Sequence, residues 1–329
     1  MKVLLSRPRG FCAGVVRAID IVDLALKYYG TPLYVRKEIV HNQSVVERFK
    51  ARGVQFIDLL EEAPSGSICV FSAHGVSPEV RMEAKKRNLH VIDATCPLVT
   101  KVHAEVHRYK NTGYSILLIG HKEHDEVQGT LGEAPDVIQV VGNVKDAAKV
   151  TVPNPEKVVA LTQTTLSVDE SNVMIQALRK RFPKLTTPAK DDICYATQNR
   201  QDAVKFLVKK GIDLLLVVGS QNSSNSVRLC EVAQALGVEA HLIDRADEIE
   251  SSWLRGKQMV GLTAGASAPE YIVQEVVRFL EEKGASSEEL DFIDEDVNFA
   301  LPPELTSVIE LKKEAGTSST KRPPLSVIS

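Results

Sequence analysis

Short apolar runs rich in β-branched residues recur along the chain: Val3 to Leu5, Ile68 to Phe71, Ile116 to Ile119, Val158 to Leu161, Leu214 to Val218 and Met259 to Leu262. Between them lie longer stretches with apolar positions at helical spacing. Such alternation predicts βαβ units with mainly parallel sheets covered on both faces. The polar positions mark helix starts. Ser77-Pro78-Glu79 places a capping residue before a proline at the first helical position. Ser167 with Glu170, and Ser267 with Glu270, have the spacing of a capping box. Ligands of parallel sheets bind beyond the carboxyl ends of the strands, which turns attention to the polar loops after each run.

Those loops repeat. Cys12 in Gly10-Phe11-Cys12-Ala13-Gly14, Cys96 in Ala94-Thr95-Cys96-Pro97 and Cys194 in Ile193-Cys194-Tyr195-Ala196-Thr197 each stand between a strand-like run and a helical stretch. Each is followed by a second polar loop (His41-Asn42, Gly120 to Glu126, Ser223-Ser224-Asn225) and a third (Ser72 to Gly75, Thr162 to Thr165, Thr263 to Ser267). Internal repetition fixes architecture. The expectation is an α/β fold of three similar units in a pseudo-threefold arrangement around one central site. The segments fall near 1–96, 97–193 and 194–281, with Cys96 at the first junction, followed by a closing segment 282–306. Residues 307–329, with Gly316 to Thr320 and Pro323-Pro324, read as a loose tail.

Composition narrows the class. The 329 residues are 43% hydrophobic and 25% charged, ordinary globular values with length enough for a large core. A net charge of −3 gives nucleic acid and membrane surfaces no electrostatic hold. No apolar run has the length of a membrane span, and Cys12 comes too early for a signal or transit peptide. Five widely spaced cysteines are not a secreted disulfide framework. The chain reads as cytoplasmic.

A buried cysteine is usually an inert small hydrophobe; Cys69 in Ile68-Cys69-Val70-Phe71 and Cys230 in the helical stretch Arg228 to Ala233 fit that description. Cys12, Cys96 and Cys194 instead share a strand-to-helix turn, where helix N-termini favour a thiolate. Three thiolates without a recurring fourth ligand suit a metal centre with an open position. Tetrahedral zinc completed by water and a cubane iron–sulfur cluster with one reactive iron fit equally well. Gly219-Ser220-Gln221-Asn222-Ser223-Ser224-Asn225-Ser226 offers small donors and backbone amides to an anion. His41, His74 and His124, in matched loops, add donors that can carry charge near neutral pH. Neither a Walker loop nor a Rossmann fingerprint is present. Glu126, beside His124 on the loop after Ile116 to Ile119, is the candidate proton donor, with the hydroxyls of Thr164 and Thr165 as relay groups.

In combination these motifs, with Ser72-Ala73-His74-Gly75, Ala264 through Pro269 and Ala300-Leu301-Pro302, resemble the LytB/IspH family of hydroxymethylbutenyl diphosphate reductases from about residue 1 to Leu305, with no departure at a motif position. The resemblance implies a bacterial, cytoplasmic enzyme of the non-mevalonate isoprenoid route. It implies a [4Fe–4S] cluster held by Cys12, Cys96 and Cys194, with a fourth iron open to the substrate's allylic hydroxyl. His41, His74, His124, Ser223, Ser224, Asn225 and Ser267 would grip the diphosphate, with Thr164 and Thr165 beside the substrate. Electrons would come singly from a ferredoxin- or flavodoxin-like partner, and Glu126 would donate the proton. A zinc-dependent hydrolase of a phosphorylated small molecule would use the same thiolates but be colourless. A non-catalytic cluster carrier or sensor would need neither the converging polar loops nor the isolated acid.

Overall fold

The computed structural model describes residues 1–314, with side chains through residue 310. From the N-terminus come β1 (Lys2–Arg7), α1 (Ala13–Tyr29), β2 (Leu33–Arg36), α2 (Gln43–Ala51), β3 (Val54–Ile57), β4 (Ile68–Phe71), α3 (Pro78–Lys86) and β5 (His90–Asp93). Then follow α4 (Pro97–Asn111), β6 (Ser115–Ile119), α5 (Asp125–Glu133), β7 (Ile138–Val141), α6 (Val144–Lys149), β8 (Val158–Thr162) and α7 (Val168–Arg181). The remainder holds α8 (Tyr195–Lys209), β9 (Leu214–Val218), α9 (Ser224–Ala235), β10 (Glu239–Ile243), α10 (Ser251–Leu254), β11 (Met259–Ala264), α11 (Glu270–Glu282), β12 (Ser286–Asp291) and α12 (Pro303–Glu314).

The strands form three sheets, ordered β3-β2-β4-β5, β7-β6-β8 and β10-β9-β11-β1-β12. Every strand pairing within them is parallel. The expected α/β fold of three parallel-sheet units is present. β8 and β9 are buried at every position, as strands covered by helices on both faces must be. One difference concerns β1. Residues 2–7, counted by sequence with the first segment, lie between β11 and β12 in the five-stranded sheet, with Lys2 opposite both Met259 and Ser286. Val3 and Leu5 enter one core of that unit and Leu4 another. An apolar run announces a strand but not its neighbours, which long-range packing decides.

Helix starts follow their caps. Ser77 accepts from the Val80 amide and Ser167 from the Glu170 amide. Ser267 does not cap: Pro269 precedes α11, and the Ser267 hydroxyl donates to the His41 carbonyl at 2.8 Å instead. The loop expected around Glu126 is shorter than its polarity suggests. The His124 imidazole takes the capping place and accepts the Glu126 amide at 3.2 Å, so Glu126 lies in the first turn of α5.

The C-terminal part of the described chain is also more ordered than expected. β12 completes the five-stranded sheet, and α12 continues through Glu314, so residues 307–314 are helical and not tail. Leu305 is fully buried in the core around α1, with Leu301 and Ile309 beside it. The rest of the expected tail, 315–329, lies outside the described residues. Between β12 and α12 the chain crosses as a strap. Glu295 on this strap meets Arg200 of α8 at 3.0 Å, and Arg200, wholly buried, also donates to the Gly10 carbonyl at 2.7 Å. Removing one partner of a buried ion pair costs about 3–5 kcal/mol, because the other charge is left without compensation. Glu295→Ala should therefore lower unfolding stability by about that amount, read from the denaturant midpoint; an unchanged midpoint would show that the strap does not hold.

Candidate active site

Three helices start at one cavity, and the residue before each is a cysteine: Cys12 before α1, Cys96 before α4 and Cys194 before α8. The way they are held repeats cyclically. The Cys96 amide donates to the Ala73 carbonyl at 3.0 Å, Cys194 to Thr164 at 2.9 Å and Cys12 to Ala266 at 3.2 Å. The third polar loop of each segment thus fixes the cysteine of the next, and the third segment closes the ring on the first. The cavity encloses about 720 Å³ of empty space, its open mouth included.

All five cysteines are free. Amides of Leu98 and Val99 face Cys96, and amides of Ala196 and Thr197 face Cys194, as helix N-termini should. Burial nevertheless dominates and, with the repulsion of Cys12, pushes Cys96 up to about 11 and Cys194 up to about 12. Closely set thiols that cannot ionise together are a donor set that a thiophilic cation relieves. Gly14 makes room for them: a Cβ there would lie 2.8 Å from the Cys96 sulfur and 3.8 Å from that of Cys12. The residues fit a metal centre with three thiolate ligands. Cys69 on β4 and Cys230 on α9 are buried away from the cavity lining, each thiol raised by burial.

The opposite wall carries the three histidines. His41 and His74 stack with centroids 4.0 Å apart, and His124 stands edge-on to them at 5.3 and 5.8 Å. Burial, reinforced by the other rings, pushes His74 well below its usual value; burial with the charges of His41 and His121 pushes His124 down to about 3. Because its Nδ1 accepts the Glu126 amide, neutral His124 carries its proton on Nε2. A residue that sequence reasoning did not single out orients the bed: Glu38 holds His41 Nδ1 at 3.0 Å and is itself held by Asn222, of the Ser/Asn loop, at 2.8 Å. Asn42 serves a local purpose, capping α2 through the Val45 amide.

Donors complete this wall. Ser223 caps α9 and lies 3.3 Å from the Ser267 hydroxyl, while Thr165 donates to Ser224 at 3.0 Å. α9 packs close because Gly265 lacks a side chain; a Cβ there would fall 1.9 Å from the Ser226 hydroxyl. Asn225 gives its side-chain oxygen to the Ala266 amide at 2.8 Å and leaves its NH2 buried without a partner among the described residues. An unpaired buried donor of this kind costs about 1–3 kcal/mol unless a ligand oxygen meets it. The nitrogens of His41 and His74 and the Asp125 carboxylate lie within 4.8 Å of one another, a grouping that could take a cation. The facing serines and Asn225 favour an anion.

Between the two walls lies Glu126. Its Oε1 accepts the Thr164 amide at 2.7 Å and its Oε2 meets the Thr164 hydroxyl at 2.9 Å. Burial raises its carboxyl above the usual range despite these bonds, and Asp192 adds to the rise. Every residue singled out by sequence as ligand, donor or acid lines this one cavity.

Such a site defines the class: an α/β protein of three parallel-sheet units with a thiol-lined, anion-receptive cavity at their junction. A family model described as LytB protein matches residues 3–281. The 4-hydroxy-3-methylbut-2-enyl diphosphate reductase of Aromatoleum aromaticum is 55% identical over 92% of this chain and 97% of its own length. The Bordetella pertussis protein of the same name is 56% identical over 94% and 95%. The structure of the E-1-hydroxy-2-methyl-but-2-enyl-4-diphosphate reductase from Plasmodium falciparum superposes with a TM-score of 0.92 at 39% identity, covering 95% of this chain and 99% of that one. This chain belongs to the LytB protein family.

His74 and His124, held neutral by burial, predict a proton-linked affinity. An anion beside these two rings raises their pKa values, so they take up protons as it binds. Inorganic diphosphate should therefore bind more tightly as pH falls from about 8 to 6. Calorimetry in buffers of different ionisation enthalpy should show net proton uptake, and release would reverse the assignment.

Proposed function

We propose that this chain reduces 4-hydroxy-3-methylbut-2-enyl diphosphate to isopentenyl and dimethylallyl diphosphate, the closing step of the non-mevalonate isoprenoid route. The observation that carries the reading is one cavity in which three free thiols and one buried acid face an anion-receptive wall, in a chain 55% identical to reductases named for that diphosphate. The substrate gains two electrons and two protons and loses its allylic oxygen as water. Cys12, Cys96 and Cys194 would hold a [4Fe–4S] cluster, which when bound supplies electrons taken from a ferredoxin- or flavodoxin-like donor and an iron open to the hydroxyl.

The protein's own groups do the rest. His41, His74 and His124 bind the diphosphate with Ser223, Ser224, Asn225 and Ser267, and the free NH2 of Asn225 meets a phosphate oxygen. Thr165 keeps Ser224 in place. Anchored by its charged end, the substrate lays its hydroxyl at the thiol-lined side, beside Thr164. Glu126, its carboxyl pushed up by burial, would supply a proton to the departing oxygen by way of Thr164, whose hydroxyl donates to its Oε2 at 2.9 Å. Among the described residues no helix is long and apolar enough to cross a membrane.

Cysteine replacement tests the metal. Anaerobically prepared protein should be brown, and Cys12→Ser, Cys96→Ser and Cys194→Ser should each lose the visible absorption, whereas Cys230→Ser should keep it. A colourless parent that carries zinc would point to hydrolysis. Glu126→Gln preserves shape but removes the acidic proton. It should assemble the metal centre and bind substrate, with turnover lower by about 10²–10⁴; near-parental turnover would move the acid elsewhere.

A further inference from the structure

Each helix that starts at a cysteine carries a cation in its second turn, and that cation reaches the carbonyls just ahead of the next cysteine. Arg17 of α1 donates to Ala94 and Thr95, before Cys96, at 3.2 and 3.1 Å. Lys101 of α4 donates to Lys190 and Asp191, before Cys194, at 3.0 and 2.8 Å. Arg200 of α8 donates to Gly10, before Cys12, at 2.7 Å. The three contacts close a ring, in the same sense as the bonds of the cysteine amides.

Lys101 has the most to hold. β1 ends at Arg7, shortly before Cys12, and β5 at Asp93, shortly before Cys96. Contrary to the expectation from its sequence, no strand leads into Cys194: from the end of α7 at Arg181 to Tyr195 the chain holds no regular element. Thr186 makes a single bridge to Val159 of β8. The next residue to face β8 would be Pro188, which has no N–H to donate, so the ladder stops there. The third N–H of Lys101 meets Asp192 Oδ1 at 3.3 Å, and the other oxygen of this buried side chain accepts the Thr162 amide at 3.3 Å. Among the described residues, Lys101 and the Thr162 amide supply the hydrogen bonds that hold 188–193 to other elements.

Resting on the three-thiolate reading above, we infer that Lys101 is a positioning residue for the metal centre: it holds Cys194 where a strand would otherwise have placed it, and so pre-forms the third thiol position. It lies outside the cavity lining and acts through the backbone of 190–192. A thiol on an untied connection would lose its freedom only when the metal arrives, and that ordering would weaken binding. The helix that presents one thiol thus also sets the place of another. The effect of Lys101 on metal binding belongs to Cys194, on the neighbouring unit, and not to Cys96 at the start of its own helix.

The test titrates the reduced, metal-free full chain with cobalt(II), whose thiolate charge-transfer absorption reports binding. Lys101→Met keeps the length of the side chain and removes its donors. It should weaken cobalt binding by about ten- to a hundredfold, as the loss of a partner that orients a ligand does. In a Cys194→Ser background the same replacement should change affinity by less than about twofold, because the thiol it serves is gone. In a Cys96→Ser background the full loss should remain. A brace that only supports the fold would weaken binding alike in both backgrounds. That equality, or a parental affinity in Lys101→Met, overturns the proposal. If Lys101→Met does not fold, Lys101→Met with Asp192→Asn, which removes the buried charge left unpaired, is compared in the same backgrounds. Parental cobalt affinity and absorption in Cys12→Ser, Cys96→Ser and Cys194→Ser alike would defeat the three-thiolate reading instead.

Discussion

Three thiols are held at one cavity by the N-termini of three helices, and the rest of the structure answers to that constraint. No single α/β unit could supply it. Each cysteine amide is bound by a carbonyl from the third polar loop of the preceding segment, so the units interlock as a ring. Two arginines tighten the ring. Arg200 ties the Gly10 carbonyl, two residues before Cys12, to Glu295 of the strap. Arg17 donates to the carbonyls of Ala94 and Thr95, next to Cys96, and to Ala300 of the strap. The C-terminal strap is therefore part of what keeps two of the three cysteine loops in register.

The same enclosure sets the cavity's electrostatics. Low polarity disfavours charge of either sign, so His74 and His124 are pushed down while Glu126, Cys96 and Cys194 are pushed up. Burial thus favours the protonated forms of Glu126, Cys96 and Cys194 and the neutral forms of His74 and His124. Entry of an anion on one wall and a cation at the thiols would reverse both tendencies together. In a partly buried site these charge pairs act more strongly than they would in water. A proton kept on a buried carboxyl between such walls has few places to go other than the bound ligand.

Much of this was legible in the sequence because it is local. Continuous apolar runs and Ser-x-x-Glu or Ser-Pro starts reflect backbone chemistry confined to a few residues, and the runs and the Ser77 and Ser167 caps appear where expected. The three cysteines could be separated from Cys69 and Cys230 because a strand-to-helix turn differs locally from a strand or helix interior. Local signals also misled. Ser267 with Glu270 has cap spacing, but Glu270 pairs with Arg9 and Ser267 turns to His41. The loop at Glu126 looked longer than it is because histidine is an unusual capping residue.

What the sequence by itself determined is the alternation of strand and helix, the recurrence of one cysteine per segment and the kinds of group available. These depend on side-chain type and on spacings shorter than one element. Only the tertiary structure decided which sheet takes β1, how Glu38 and Asn222 orient His41, and that residues 307–314 continue a helix against α1. Those outcomes depend on which distant surfaces bury each other, and on how far that burial moves a proton's free energy. Neither quantity is carried by any short stretch of chain.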